Sequence, residues 1–200
     1  MKKLAALMVL VATVLAGFCS KSGKAKEINC CEIGASLAGG GANLKWMDKN
    51  WQMGWQVELN LSYYFSNNFG LRVSPGLIFI PLENANRLEI FAFPFSLLLN
   101  FQIGENNFLT FSPGAGFGRA DLEHRYYYYQ SYSYYYHYQN YYDYTINAAM
   151  GFLFIGSVEF KQRIANCVFV NFGLTFEYAK FENFPDLYFI APKIGISAIW

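Results

Sequence analysis

Acid–base chemistry in this chain would have to begin at its two histidines. His124 follows Asp121 and Glu123, and His137 lies four residues beyond Ser133. A hydroxyl nucleophile needs a base within hydrogen-bond reach and a third group that orients the base. No spacing around either histidine matches a catalytic motif. Both read as polar loop residues, so no catalytic residue is assigned and the chain is not read as an enzyme. Metal chemistry is equally poorly supplied: Cys30, Cys31 and Cys167 come with neither a CxxC pair nor an accompanying histidine, so no metal site and no cofactor are implied. In an oxidising compartment one of the adjacent pair could bond Cys167, the alternative being free thiols.

Two other groups of residues ask for a role. Glu58, Arg72, Glu159, Glu177 and Lys193 interrupt otherwise apolar or small-residue segments. The second group is a tyrosine tract holding twelve of the sixteen tyrosines: Tyr126, Tyr127, Tyr128, Tyr129, Tyr132, Tyr134, Tyr135, Tyr136, Tyr138, Tyr141, Tyr142 and Tyr144. Gln130, Ser131, Ser133, Gln139, Asn140 and Asp143 lie among them. Tyrosine offers a large, rigid, amphipathic contact surface with a hydroxyl, as in antibody paratopes, so this tract is a candidate surface for a host or neighbouring-cell ligand. The competing role is strand extension above a membrane, for which tyrosine is also suited. Only Arg125 supplies a nearby cation, and the formal charge is +1, falling to −1 without Lys2 and Lys3. Nucleic acid is therefore not a partner.

The elements that position these residues are strands. In Met53 to Phe65, Met53, Trp55, Val57, Leu59, Leu61, Tyr63 and Phe65 alternate with Gly54, Gln56, Glu58, Asn60, Ser62 and Tyr64. Period-2 alternation places the two sets on opposite faces. Similar segments run from Glu32 to Ala42, Gly70 to Pro81, Arg87 to Phe101, Phe108 to Arg119, Thr145 to Phe160, Cys167 to Lys180 and Tyr188 to Trp200. Pro75 and Pro113, in the related stretches NNFGLRVSPGL and NNFLTFSPGA, are expected at bulges that bend the wall.

The face opposite the bulky one carries Gly54, Gly76, Gly114, Gly116, Gly118, Gly151, Gly173 and Gly195, with Ser74, Ser112, Asn171 and Ser197. It is expected to be small and polar. An eight-stranded barrel has an interior that side chains just fill, so the bulky face must point outward, into lipid. That orientation disfavours a soluble lipocalin-like binding barrel, which needs its large residues inside. Hydrophobic residues make up 54% of the chain and charged ones 14%, a balance that suits a lipid-facing wall. The five charged residues then fall inside, where unpaired charge is costly, so they are expected to form a network closing a narrow lumen.

Met1 to Phe18 has the basic start and short apolar run of an export signal, placed at residues 1–19 with cleavage as late as 25. Phe18 stands where a lipoprotein signal needs a small residue, so Cys19 is not read as acylated. Residues 20–31 would form a short periplasmic segment and 32–200 the barrel. Short turns at Ser66–Asn68, Gln102–Asn107 and Lys161–Asn166 would face the periplasm. Longer connections, chiefly 120–144, would face the exterior.

Export signal, eight alternating strands, Asn-rich turns and the terminal GISAIW together resemble the small outer-membrane β-barrel family that includes the OmpA transmembrane domain and OmpX. The resemblance covers about Cys30 to Trp200. It implies an all-β, eight-stranded antiparallel up-and-down transmembrane barrel. It also implies that Ile194, Ile196 and Trp200 resemble the signal read by the barrel-assembly machinery. The reading is an integral outer-membrane monomer in contact with outer-membrane lipid, structural or adhesin-like. Lipid A deacylases are barrels of similar size that use His, Ser and carboxylates, which makes a lipid-modifying enzyme the alternative.

Overall fold

Alternating side chains give strands along nearly the whole of the described chain. The structure, a computed structural model, describes residues 30–44, 51–82, 87–127, 141–182 and 186–199, with the backbone alone at 123–127 and 141–148. The strands are β1 (Cys30–Leu44), β2 (Gln52–Tyr64), β3 (Phe69–Val73), β4 (Gly76–Pro81), β5 (Arg87–Gln102), β6 (Asn107–Tyr127), β7 (Tyr141–Arg163), β8 (Val168–Phe181) and β9 (Leu187–Ile199). Every pairing is antiparallel, and β1 pairs with both β2 and β9, which closes the sheet on itself. β3 and β4 share the neighbours β2 and β5, so they are halves of one wall strand and the ring has eight. Closure leaves no unpaired edge, the condition for a sheet to cross lipid.

Several boundaries differ from the sequence expectation. β1 begins at Cys30, so Cys30 and Cys31 belong to the wall rather than to a segment ending at residue 31. Pro75 does interrupt its strand. The neighbours recover the lost bonding: Leu59 N donates to Pro75 O at 3.0 Å and Ser74 N to Pro94 O at 3.1 Å. Pro113 instead sits inside an unbroken β6, paired with Gly156 on β7, while the β5–β6 pairing is interrupted between Ser96–Gly114 and Leu99–Phe111, where proline has no N–H to give. The ladder irregularity of β6 lies further on, at Asp121 and Leu122.

The outward face is a continuous apolar belt. Trp55, Leu59, Leu61, Tyr63, Phe91, Phe95, Phe117, Phe152, Phe154, Leu174 and Ile190 are each between 47% and 62% exposed. Exposure on this scale is far beyond what a protein in water leaves uncovered. Tight curvature also explains the inward glycines. A Cβ at Gly173 would lie 2.2 Å from the carbonyl oxygen of Val158, so the wall can close there only around a residue without one.

One rim carries the short turns that join β2 to β3, β5 to β6 and β7 to β8. At the first of these, Ser66 Oγ accepts from the Phe69 N–H at 3.0 Å. The other rim carries the longer connections. There the expectation of a loop over 120–144 is corrected: β6 continues to Tyr127 and β7 resumes at Tyr141, because tyrosine-rich sequence pairs readily as strand.

Candidate functional site

The inward side chains divide the lumen into two zones. The half nearer the short turns holds the charge. Arg72 makes a two-pronged pair with Glu159, at 2.7 and 3.2 Å, and its Nε donates to Ser62 Oγ at 3.2 Å. Lys193 Nζ sits 2.6 Å from Glu58 Oε2 and 3.2 Å from Glu159 Oε1, which links two carboxylates. Glu58 also accepts from Ser36 Oγ at 3.0 Å and from Gln56 Nε2 at 2.8 Å. Each of these charged side chains is buried, so the pairs are shielded from solvent and held by several hydrogen bonds at once.

Three members of this network escaped the sequence reading. Lys161 Nζ lies 2.8 Å from both oxygens of Glu32 and 3.0 Å from the Tyr64 hydroxyl, which itself donates to Glu32. In the sequence Lys161 opens the expected turn Lys161–Asn166 and Glu32 opens the expected strand Glu32 to Ala42. The available signal was parity: both fall on the inward register of their strands. Glu177 differs from the other acids. It accepts a bond from the Gln56 amide, and its second oxygen is buried without a hydrogen-bond partner. Among the described residues it has no ion-pair partner, so of the five charged residues expected to pair, four do so.

The half nearer the long connections corrects the expectation of a small, polar interior. It is filled by Leu44, Ile78, Ile80, Leu88, Ile90, Leu153, Leu187 and Phe189, packed with inward alanines into one cluster. Phe189, Ile78, Ile80, Leu88, Ile90, Leu153 and Leu187 are among the largest fully buried side chains. Glu177 sits at the seam: its cross-strand partner on β9 is Phe189, and on β7 Ile155. Ions and apolar packing together occupy the lumen along its length.

The tyrosine tract lies on the β6–β7 hairpin. β6 has 21 residues and β7 has 23, against 13 to 16 for the other unbroken strands, so this hairpin outruns the wall. Tyr126 pairs with Tyr142, Tyr127 with Tyr141 and His124 with Tyr144 in the backbone ladder. These five tyrosines are therefore strand residues rather than loop residues. Tyr128, Tyr129, Tyr132, Tyr134, Tyr135, Tyr136, Tyr138 and His137 lie outside the described residues. Asp121, one of the carboxylates near His124, is held by Arg119 Nε at 3.0 Å.

Of the assembly-signal residues, Ile194 and Ile196 alternate outward along β9 and Trp200 lies outside the described residues. Cys30 and Cys31 are free thiols, so neither of the adjacent pair bonds Cys167. Among the described residues no group of three or more His, Cys, Asp and Glu side chains is arranged to hold a metal.

No protein-family model matches the chain, and no curated protein sequence does. Solved structures do match. Neisserial surface protein A superposes with a TM-score of 0.65 at 9% identity, covering 84% of this chain and 96% of that one. Ail, the attachment invasion locus protein of Yersinia pestis, superposes with a TM-score of 0.51 at 14% identity, covering 87% of this chain and all (100%) of that one. At such identities the likeness speaks for the fold. A closed antiparallel ring, an apolar outer belt and these superpositions together give the chain the fold of the small eight-stranded transmembrane β-barrels of the bacterial outer membrane.

Proposed function

We propose that this protein is an integral outer-membrane barrel with a sealed lumen, whose task is carried out at the cell surface by the tyrosine-rich β6–β7 hairpin. The observation that carries the reading is the length of that hairpin. Beyond Glu123, the last β6 residue paired with β5, and Gly151, the last β7 residue paired with β8, the two strands continue to pair with each other through His124–Tyr144 to Tyr127–Tyr141, a hydrogen-bonded stalk that carries the tract past the wall. Tyrosine hydroxyls and rings on a rigid support bind at low ordering cost, which suits an adhesin-like contact with a host or neighbouring cell. That one neighbour in fold is an attachment invasion locus protein accords with a surface role.

The rim carrying this hairpin is read as exterior and the short-turn rim as periplasmic, following the loop asymmetry of such barrels. Residues 1–19 would then be the export signal, and Ile194, Ile196 and Trp200 the region recognised during assembly. Deleting Gln130 to Asn140 in the full-length protein should reduce adhesion of expressing cells while leaving heat-modifiable gel mobility intact. Unchanged adhesion with an intact barrel would remove the adhesin reading and leave a structural role.

A further inference from the structure

The described lumen is one positive charge short. Its buried acids are Glu32, Glu58, Glu159 and Glu177, and its buried bases are Arg72, Lys161 and Lys193. Each base is committed: Arg72 to Glu159, Lys161 to Glu32, and Lys193 to both Glu58 and Glu159. The surplus falls on Glu177, at the seam. Its wall neighbours are Ile155 on β7 and Phe189 on β9, neither of which can solvate a charge. The next inward positions bring Ser157 and Glu159 on β7 and Ala191 and Lys193 on β9, while β2 presents Gln56 and Glu58 from across the lumen. The charged groups that bear most directly on Glu177 are Glu58, which repels a second carboxylate, and Lys193, which is already shared.

The atoms left without partners show what is missing. Gln56 Nε2 gives one hydrogen to Glu58 Oε1 at 2.8 Å and the other to Glu177 Oε1. Both acceptors are carboxylate oxygens, so the orientation of the amide is fixed: its nitrogen serves them and its oxygen is left over. That oxygen, Gln56 Oε1, is buried without a partner, and so is Glu177 Oε2. Two acceptors cannot satisfy each other. One proton on Glu177 Oε2 changes this, because a neutral carboxylic acid is donor and acceptor at once. Acid and amide then join twice, amide N–H to Oε1 and acid O–H to the amide oxygen, in the cyclic pair that carboxylic acids form with primary amides. The same proton removes the surplus charge, and a carboxylate buried without a cation takes up a proton rather than bear its desolvation.

We infer that Glu177 is a neutral carboxylic acid in the folded barrel, and that its proton latches β8 to β2 across the seam between the two halves of the lumen. The ionic half is then electrically balanced, three acids against three bases. Loss of the proton leaves a lone carboxylate beside Phe189 and breaks one of the two bonds to Gln56, so the latch is a pH-sensitive element of the plug. It joins strands that are not neighbours in the wall, as the ion pairs do, but with a bond that a single proton makes or breaks.

The test uses the full-length exported barrel in dodecyl maltoside. At about pH 7, where an ordinary carboxyl is ionised, its infrared spectrum should show the C=O stretch of a neutral carboxylic acid, displaced in heavy water. The band should be absent from Glu177→Gln, which keeps two bonds to Gln56 as an amide–amide pair; heat-modifiable mobility checks that this variant forms the barrel. Urea unfolding then counts the proton. The folded chain holds one proton more than the unfolded chain, whose glutamates ionise near pH ~4, so stability falls as the pH rises. Between about pH 6 and 8 the unfolding constant of the wild type should rise relative to that of Glu177→Gln by ~10-fold per pH unit, until the buried acid ionises. No neutral-acid band in the wild type, a reading that does not depend on the variant folding, would overturn the latch. So would the same pH dependence in both proteins, or a wild-type midpoint that tracks sodium or potassium at constant ionic strength while that of Glu177→Gln does not, the mark of a cation in the proton's place.

Discussion

The two halves of the lumen solve one problem by opposite means. Near the short turns the interior is filled by salt-bridged side chains; near the long connections it is filled by leucine, isoleucine and phenylalanine. The apolar half needs only volume and shape, and its cost of error is a cavity. The ionic half needs every partner, because a carboxylate or guanidinium buried alone is far more expensive than a void. Seen this way, the apolar plug is the tolerant half and the network the exacting one. The seam between them falls where Glu177 faces Phe189 across the β8–β9 ladder.

The sharpest way to break the comparison is Glu159→Ala. It removes the acceptor of both Arg72 prongs and one partner of Lys193, and the expected destabilisation is about 3–5 kcal/mol, read as a lower urea midpoint of the detergent-solubilised barrel. Leu153→Ala in the apolar plug should cost about 2–5 kcal/mol in the same measurement, the value depending on how far the rest of the cluster relaxes into the space. A double substitution, Glu32→Leu with Lys161→Met, replaces a complete buried pair. It should be close to neutral or stabilising by about 1–4 kcal/mol; a loss as large as that of Glu159→Ala would show that Tyr64 depends on the pair. Smallest of all, Arg119→Ala breaks a pair whose members are 54% and 30% exposed, and should change the midpoint by less than about 1 kcal/mol. In planar bilayers the wild type should show no large steady single-channel current, since both zones would have to open together.

The outer face was the legible part of the chain. Lipid enforces a bulky residue at every second position, so Met53 to Phe65 announced both its strand and its orientation. The inner face was legible only in its ionic half. Ile78, Ile80, Leu88 and Ile90 point inward but lie beside outward Leu77, Phe79 and Phe91, so both faces of these segments read as apolar and alternation loses its contrast. Glu32 and Lys161 were hidden for a different reason, each lying at a strand end where glycine or turn chemistry dominates local composition. The hairpin length was hidden as well, because tyrosine, serine and asparagine serve a loop and a strand alike. Which carboxylate would lack a cation depended on cross-lumen reach, which no spacing along the chain encodes.

The ion-pair partners in the ionic half are never on neighbouring strands. Arg72 on β3 reaches Glu159 on β7, Lys161 on β7 reaches Glu32 on β1, and Lys193 on β9 reaches Glu58 on β2. Such pairs span the lumen, so they depend on the sheet being curled round on itself rather than on any single strand pairing. A slip of one residue in any strand would turn its charge toward lipid and leave the partner stranded. The network therefore ties register to closure: every charge is satisfied only when all the strands stand in this register and the circle is complete.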